Sequence, residues 1–330
     1  MRILAVGGTK FVGRHLVHAA LAAGHEVTLL HRGRSNPDLF PEAEHLIADR
    51  DGPLNVLMER HFDATVDVSA YVPRQVRSLA EALDGAGGHH LFVSTVSVYA
   101  PPAAAGYDES SPLTWPPRDP AAEVVDPSTY GGLKVLCELA AREAYGNLTV
   151  VRPTYVVGPH DHTGRFTWWV RRIAGGGEVL APGPANAPVQ VVDARDLAAW
   201  TLGLLEERRG GTFHAAHPAP PYGFGELLED IAAAVAPAGT NLRWVEQEQL
   251  LAAGVDGRAL PLWAGEATPA ERLLGTADAS AAISTGLRFR PVADSARDCL
   301  GDRETLVPEG VGLDPKVEAK LLVSDEPMSR

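Results

Sequence analysis

The chain reads as an α/β protein: a doubly wound parallel sheet followed by a smaller, less regular α+β lobe. Three observations predict this. Short β-rich runs alternate with longer stretches of helical periodicity through the first 155 residues. The first of these runs passes straight into a glycine turn that opens a helix. The second half is less regular, with glycine and proline concentrated between its apolar runs.

Taken in order, residues 3–6 form a short apolar strand, and residues 11–23 place apolar side chains at helical spacing before Gly24 as a stop. Residues 26–30 are rich in β-formers, 46–48 are an apolar run ending at Asp49, and 64–69 are a fourth strand. Residues 73–83 read as a helix with proline in its first turn. Residues 90–98 are a long β-branched run, 128–145 a helix with Cys137 on its apolar face, and 148–151 a strand closed by Arg152-Pro153. Strands separated by helices imply βαβ units with right-handed crossovers. The proline-rich acidic segment 101–125 reads as a surface loop. Farther on, 166–174 is helical, 175–187 a Gly/Pro loop, 189–192 a strand, 194–207 a helix and 212–215 a strand. Residues 224–235 are helical, 242–245 extended, and 254–268 irregular. The expected units are 1–155, a lobe of 156–300 interleaved with the sheet, and a docked or partly disordered tail of 301–330.

Composition narrows the function. The 330 residues are 45% apolar and 22% charged, an ordinary globular balance. With 29 basic against 42 acidic side chains the net charge is −13, which repels phosphate backbones and anionic membrane surfaces. Two cysteines, Cys137 and Cys299, make no disulfide framework and suit a reducing compartment. No apolar run approaches about 20 residues, and a strand opening at residue 2 leaves no room for a signal peptide. The expectation is a soluble, cytoplasmic protein.

Residues 3–6 lead into Gly7-Gly8-Thr9-Lys10-Phe11-Val12-Gly13. Gly7 permits the tight turn, a small Gly8 lets backbone N–H groups approach a pyrophosphate, and Gly13 lets the helix pack close to the strand. The helix N-terminus then favours phosphate charge. Strand, glycine turn and helix together predict a dinucleotide site on a Rossmann-type doubly wound parallel sheet. The second strand ends Leu30-His31-Arg32-Gly33-Arg34, without the acid that would hold a ribose 2′-hydroxyl. Arg32 and Arg34 suit a 2′-phosphate, so NADP is expected, with NAD as the alternative. Asp49 is placed to accept a hydrogen bond from the adenine amino group.

The fifth strand ends Val93-Ser94-Thr95-Val96-Ser97-Val98-Tyr99, and Tyr130-Gly131-Gly132-Leu133-Lys134 follows 35 residues after Thr95. Tyr130 and Lys134, four apart, share one helix face. An ammonium beside a phenol stabilises the phenolate and lowers its ordinary pKa of about 10, which suits proton transfer near neutral pH. The Thr95 hydroxyl is placed to hold a substrate oxygen facing the phenol.

Gly7-Gly8-Thr9-x-Phe11-Val12-Gly13, Thr95, Tyr130-x-x-x-Lys134 and Arg152-Pro153-x-x-Val156-x-Gly158-Pro159 together resemble the short-chain dehydrogenase/reductase superfamily, in its extended branch, the NAD-dependent epimerase/dehydratase family. The resemblance covers roughly residues 1–300. It implies an NAD(P)-binding Rossmann domain with a smaller C-terminal substrate lobe. It implies Thr95 as the catalytic hydroxyl, Tyr130 as general acid/base, and Lys134 as its activator and a ribose ligand. It also implies Ser69, Ala70 and Tyr71 along the cofactor ribose and pyrophosphate, and Pro153, Tyr155 and Val156 near the nicotinamide. Lys10 stands where the family has a glycine, as in a branch that includes chloroplast stem-loop-binding proteins. Val96 and Ser97 stand where sugar 4,6-dehydratases carry Asp-Glu, which argues against dehydration.

Ser94 and Ser97 flank Thr95 as helpers, toward cofactor and substrate respectively. Substrate contacts are expected at Thr95, Ser97, Tyr155, His160, Phe166 and Trp169, a set with few charges that suits an uncharged or partly apolar small molecule. His160-Asp161-His162 are adjacent loop residues that do not converge on one ion, so no metal is expected. Gln190, Arg195 and Trp263 read as structural. The expected function is an NADP(H)-dependent oxidoreductase reducing a small-molecule carbonyl, or oxidising the alcohol, through a Thr-Tyr-Lys triad. The alternatives are a nucleotide-sugar epimerase with tightly bound NAD and a non-catalytic NADP- or RNA-binding relative. No nucleic-acid or membrane partner is expected, and a homodimer through helix 128–145 is left open.

Overall fold

The computed structural model of the protein describes residues 1–324 apart from 120, 122, 220 and 221. Its first part contains β1 (Arg2–Val6), α1 (Phe11–Ala22), β2 (Glu26–His31), β3 (Glu44–Ile47), β4 (Ala64–Asp67), α2 (Pro73–Leu83), β5 (His89–Val93), α3 (Tyr130–Ala144) and β6 (Leu148–Pro153). Then come β7 (Tyr155–Val157), α4 (Arg165–Ala174), β8 (Glu178–Pro182), β9 (Val191–Asp193), α5 (Ala194–Glu206) and β10 (Gly211–Ala215). The chain continues through α6 (Phe224–Val235), β11 (Asn241–Val245), α7 (Gln247–Ala252), α8 (Pro269–Arg272), α9 (Ser280–Ser284), α10 (Val292–Gly301) and α11 (Pro315–Ser324).

The central sheet has seven parallel strands in the order β10-β6-β5-β4-β1-β2-β3. Its strands are near-continuous apolar runs because helices cover both faces, α1 and α5 on one and α2 and α3 on the other. Chain order reverses between β1 and β4, so the crevice at their C-terminal ends is the topological switch point. The sheet reaches past residue 155 to take in β10, since Phe213 and Ala215 join the same core as Leu29 and Val151.

A second core packs α4, α6 and α10 against the parallel pair β8–β11. Here the expected loop 175–187 contains β8. Val179, Leu180 and Ala181 are buried, but three glycines before them and Pro182 after them hid a five-residue strand. The expected strand 90–98 stops at Val93, because Thr95 caps a 3-10 turn over Val96–Val98 instead. The tail docks through α11. Buried Glu318 pairs with Arg172 at 2.8 Å and accepts the Leu180 N–H at 3.0 Å. Residues 325–330 of that tail lie outside the described residues. Among the described residues no helix is long and apolar enough to cross a membrane.

Candidate active site

The crevice over the switch point encloses about 1640 Å³. That exceeds a typical small-molecule pocket and leaves room for a dinucleotide and a substrate together. The glycine turn forms its floor. Gly7 sits at φ +90°, and a Cβ there would fall 2.7 Å from Ser69 Cβ. A Cβ on Gly13 would fall 2.4 Å from the Gly7 carbonyl oxygen, so only glycine lets α1 start this close to β1. Gly8 has a different reason from the expected one. It is buried and does not line the crevice, and its Cβ would strike Leu29 and Val17 at 2.3 and 2.7 Å. It is required for packing beneath the turn.

Lys10 precedes α1 with extended backbone and no side-chain cap, so the first helical N–H groups open toward the crevice. Thr9, Lys10, Phe11 and Val12 line it with Gly7 and Gly13. The Asn36 amide donates to the Thr9 carbonyl at 2.9 Å and ties the turn to the segment after β2. On that segment Arg32, Arg34 and Ser35 line the crevice, and both arginines are exposed. Arg34 lies 3.8 Å from Asp49, whose other oxygen accepts the Asp51 N–H at 3.2 Å. Asp49 is therefore a turn residue and a partner of Arg34 at the crevice edge.

Two residues that the sequence reading passed over stiffen this end. His31 accepts the Gly33 N–H at 3.1 Å and shares a 2.9 Å bond with His45. Burial, and then His45, push the His31 pKa down, so the ring is neutral and can accept. Arg50 is buried and grips the Asp67 carboxylate with two 2.8 Å bonds, the Ser69 hydroxyl at 2.9 Å and the Gln75 carbonyl at 3.0 Å. It joins the turn after β3 to β4 and α2 under Ser69, Ala70 and Tyr71, all of which line the crevice.

At the other end, β5 delivers Ser94 and Thr95. The Ser94 hydroxyl is buried without a partner, and the Thr95 hydroxyl accepts the Ser97 N–H at 3.1 Å. Gly131 brings the start of α3 onto this turn: a Cβ there would fall 2.2 Å from the Ser97 carbonyl oxygen. That approach sets Tyr130 against Thr95. Lys134, one turn on, is buried. It donates to the carbonyls of Ala70 at 3.0 Å and Val93 at 2.8 Å, with its Nζ 4.1 Å from the Phe92 ring centre. Behind it, Glu138 holds Arg152 with bonds of 2.9 and 2.6 Å and locks α3 to β6.

The electrostatics differ from the expected acidified phenol. Burial, and then neighbouring Tyr71, push Tyr130 up to about 12, against pulls from the Thr95 hydroxyl and the Arg165 guanidinium. Burial likewise pushes the Lys134 ammonium below its ordinary value. In this site desolvation outweighs the favourable neighbours, so Tyr130 holds its proton at neutral pH.

Pro153, Tyr155, Val156 and Ser97 line the crevice as expected, together with Thr154, His162 and Arg165. Three expected substrate residues do not. Phe166 and Trp169 are fully buried in the second core, with the Trp169 indole donating to the Pro261 carbonyl at 2.5 Å. They occupy the inward face of α4, which periodicity alone could have shown. His160 lies outside that lining, tilted beside His15 and facing Asp302 and Glu304. The wall instead carries Arg165, Arg258, Glu266, Glu271 and Arg272 beside Trp263, so it is more charged than the expected apolar set. Gln190 also lines it, though its amide bonds Pro218 and Ala277.

The family model described as NAD dependent epimerase/dehydratase family matches residues 3–216. The chloroplast stem-loop binding protein of 41 kDa b of Arabidopsis thaliana is 26% identical over 220 residues, 62% of this chain and 55% of that protein. The bifunctional pinoresinol-lariciresinol reductase of Forsythia intermedia is 31% identical over 109 residues, 28% of this chain and 35% of that protein. The chain thus spans about half the length of the first relative and about a third of the second. Among solved structures, the Bordetella bronchiseptica enzyme WbmH in complex with NAD+ matches with TM-score 0.70 at 16% identity, over 93% of this chain and 99% of that one. The human epimerase family protein SDR39U1 with NADPH matches with TM-score 0.65 at 20% identity, over 91% and 99%. At these identities the structures share the fold. With the glycine turn, the Thr95 and Tyr130 hydroxyls and Lys134 around one crevice, and a family model covering most of the sheet, the chain belongs to the NAD-dependent epimerase/dehydratase family.

Proposed function

We propose that this protein is an NADP(H)-dependent oxidoreductase that reduces a small-molecule carbonyl or oxidises the corresponding alcohol. One observation carries the reading: an uncapped helix start, an exposed arginine pair and a protonated phenol facing a threonine hydroxyl all open into one crevice. The residues fit a nicotinamide dinucleotide. The α1 N-terminus would hold its pyrophosphate, Arg32 and Arg34 its 2′-phosphate, and Lys134 and Tyr155 the nicotinamide half. When bound, that group supplies or accepts the hydride. The chain's own part is proton handling. Thr95 holds the substrate oxygen, and Tyr130, protonated at neutral pH, donates its proton as that oxygen gains negative charge. Lys134 keeps the Ala70 and Val93 backbone in register around the phenol.

The test is titration of purified protein with NADPH and with NADH, followed by a carbonyl panel read at the NADPH absorbance. Preferred binding of NADPH and its net oxidation support the reading. A second reading, a nucleotide-sugar epimerase, draws support from solved neighbours named as epimerases, such as the UDP-Glc/GlcNAc 4-epimerase of Campylobacter jejuni at TM-score 0.66. NAD retained through purification, with no net oxidation of added NADPH, would favour it.

A further inference from the structure

On the substrate side of the crevice the fork of a half-buried arginine, Arg165, has no protein partner among the described residues. Arg165 opens α4. Its Nε donates to the Thr163 hydroxyl at 3.2 Å, and its guanidinium carbon lies 5.0 Å from the centre of the Tyr155 ring. Those two contacts fix the plane of the group. Asp161, the acid of the same loop, does not pair with it, because its oxygens take the Thr163 hydroxyl at 2.7 and 2.9 Å. Among the described residues no hydrogen bond or ion pair engages the two terminal nitrogens of Arg165. Arg50 and Arg272, which also line the crevice, are by contrast bound to Asp67 and to Gln247, and Arg258, whose Nε bonds the Gly310 carbonyl, is exposed where Arg165 is half-buried. Arg165, Tyr155, Thr95 and Tyr130 line one continuous space, and the Arg165 charge is felt at the Tyr130 phenol. A half-buried guanidinium that lines that space, with its terminal nitrogens unpaired, matches a planar acceptor with two oxygens.

We infer that the substrate carries a carboxylate near its reacting carbon and that Arg165 receives it as a fork. This rests on the reading of the crevice as a hydride-transfer site. It replaces the uncharged substrate expected from sequence with an oxo or hydroxy acid. Arg165 sets specificity. The reacting oxygen still goes to Thr95 and Tyr130, and the acid group anchors the molecule one side chain away.

The experiment has two arms. In the first, 4-carboxybenzaldehyde and succinic semialdehyde are each compared with their methyl esters as NADPH-dependent substrates of wild type, Arg165→Gln and Arg165→Lys. The acids are expected to win by about tenfold or more in kcat/KM. Arg165→Gln should erase the preference through KM, Arg165→Lys should keep part of it, and NADPH affinity should stay unchanged. The second arm uses no cofactor: the melting temperature is read with benzoate, benzamide or inorganic phosphate. Benzoate alone should stabilise wild type and Arg165→Lys, and not Arg165→Gln. If no aldehyde turns over while benzoate still discriminates, the hydride reading fails and the carboxylate site stands. Equal treatment of acid and ester, a preference that survives Arg165→Gln, or stabilisation by phosphate equal to that by benzoate would overturn the inference.

Discussion

Replacing Asp67 with asparagine tests how the cofactor shelf is held. The side chain is fully buried at the end of β4 and accepts two 2.8 Å bonds from Arg50 and one of 3.0 Å from the Ser69 N–H. Removing its charge strands the Arg50 guanidinium beneath the sheet. Breaking a buried pair this way costs about 3–5 kcal/mol. With an unfolding entropy of roughly 2.1 cal/mol/K per residue, a chain of 330 residues should then melt about 4–7 °C lower. Burial pushes the Asp67 carboxyl up, but the Arg50 charge and hydrogen bonds outweigh it, and the net value lies below the ordinary one. A depressed carboxyl contributes its stability above its unfolded value of about 4 and loses it as pH falls through the folded value. The gap between wild type and Asp67→Asn should therefore be full at pH 7 and close in acid. Because Ser69 lies against Gly7 on the crevice floor, NADPH affinity should fall as well. Thermal melts across pH, with fluorescence titration of NADPH, read both effects. The double variant Asp67→Leu with Arg50→Met should recover most of the melting temperature. A single variant that melts within a degree of wild type at pH 7, or a gap that widens in acid, would refute this account of the pair.

Tyr130→Phe should keep NADPH binding and lower turnover by about a hundredfold or more, measured as kcat. Since the phenol holds its proton until pH nears 12, the reduction rate of wild type should stay flat from about pH 6 to about pH 9. Losing Arg32 and Arg34 together, as alanines, should cut the preference for NADPH over NADH by roughly tenfold per arginine, read as a ratio of Kd values. Gly8→Ala should cost about 1–3 kcal/mol of stability through its clash with Leu29 and Val17, seen in chemical denaturation. Trp169→Ala should cost about 3–5 kcal/mol in the same assay and leave the KM of a surviving fraction unchanged, because the indole faces the second core and not the crevice.

Much of this was legible in residue order. The glycine turn, the hydroxyl-ended fifth strand and the Tyr130–Lys134 spacing are local patterns, and local patterns fix where backbone and side chains meet. The β8 strand was hidden because Gly175, Gly176 and Gly177 mask a run whose identity depends on its pairing with β11. Phe166 and Trp169 read as pocket residues because aromatic side chains after a turn suit either a core or a mouth. The helical spacing of Phe166, Trp169, Val170 and Ile173 puts them on one face, and the packing of α4 on α6 and α10 makes that face the core. Arg50 and His31 were missed for a related reason. Each acts through a partner 14 or more positions away, Asp67 and His45, which spacing along one strand does not reveal. The sign of the Tyr130 shift is not legible in the sequence, because the ammonium is visible there and the burial around the phenol is not.

The most direct test is a crystal structure of the protein grown with NADPH. The expected result is the adenosine 2′-phosphate between Arg32 and Arg34, the pyrophosphate at the start of α1, and the nicotinamide ring against Tyr155 with its C4 facing the space in front of Tyr130 and Thr95. A dinucleotide bound elsewhere, or a nicotinamide ring turned away from the Tyr130 phenol, would contradict it.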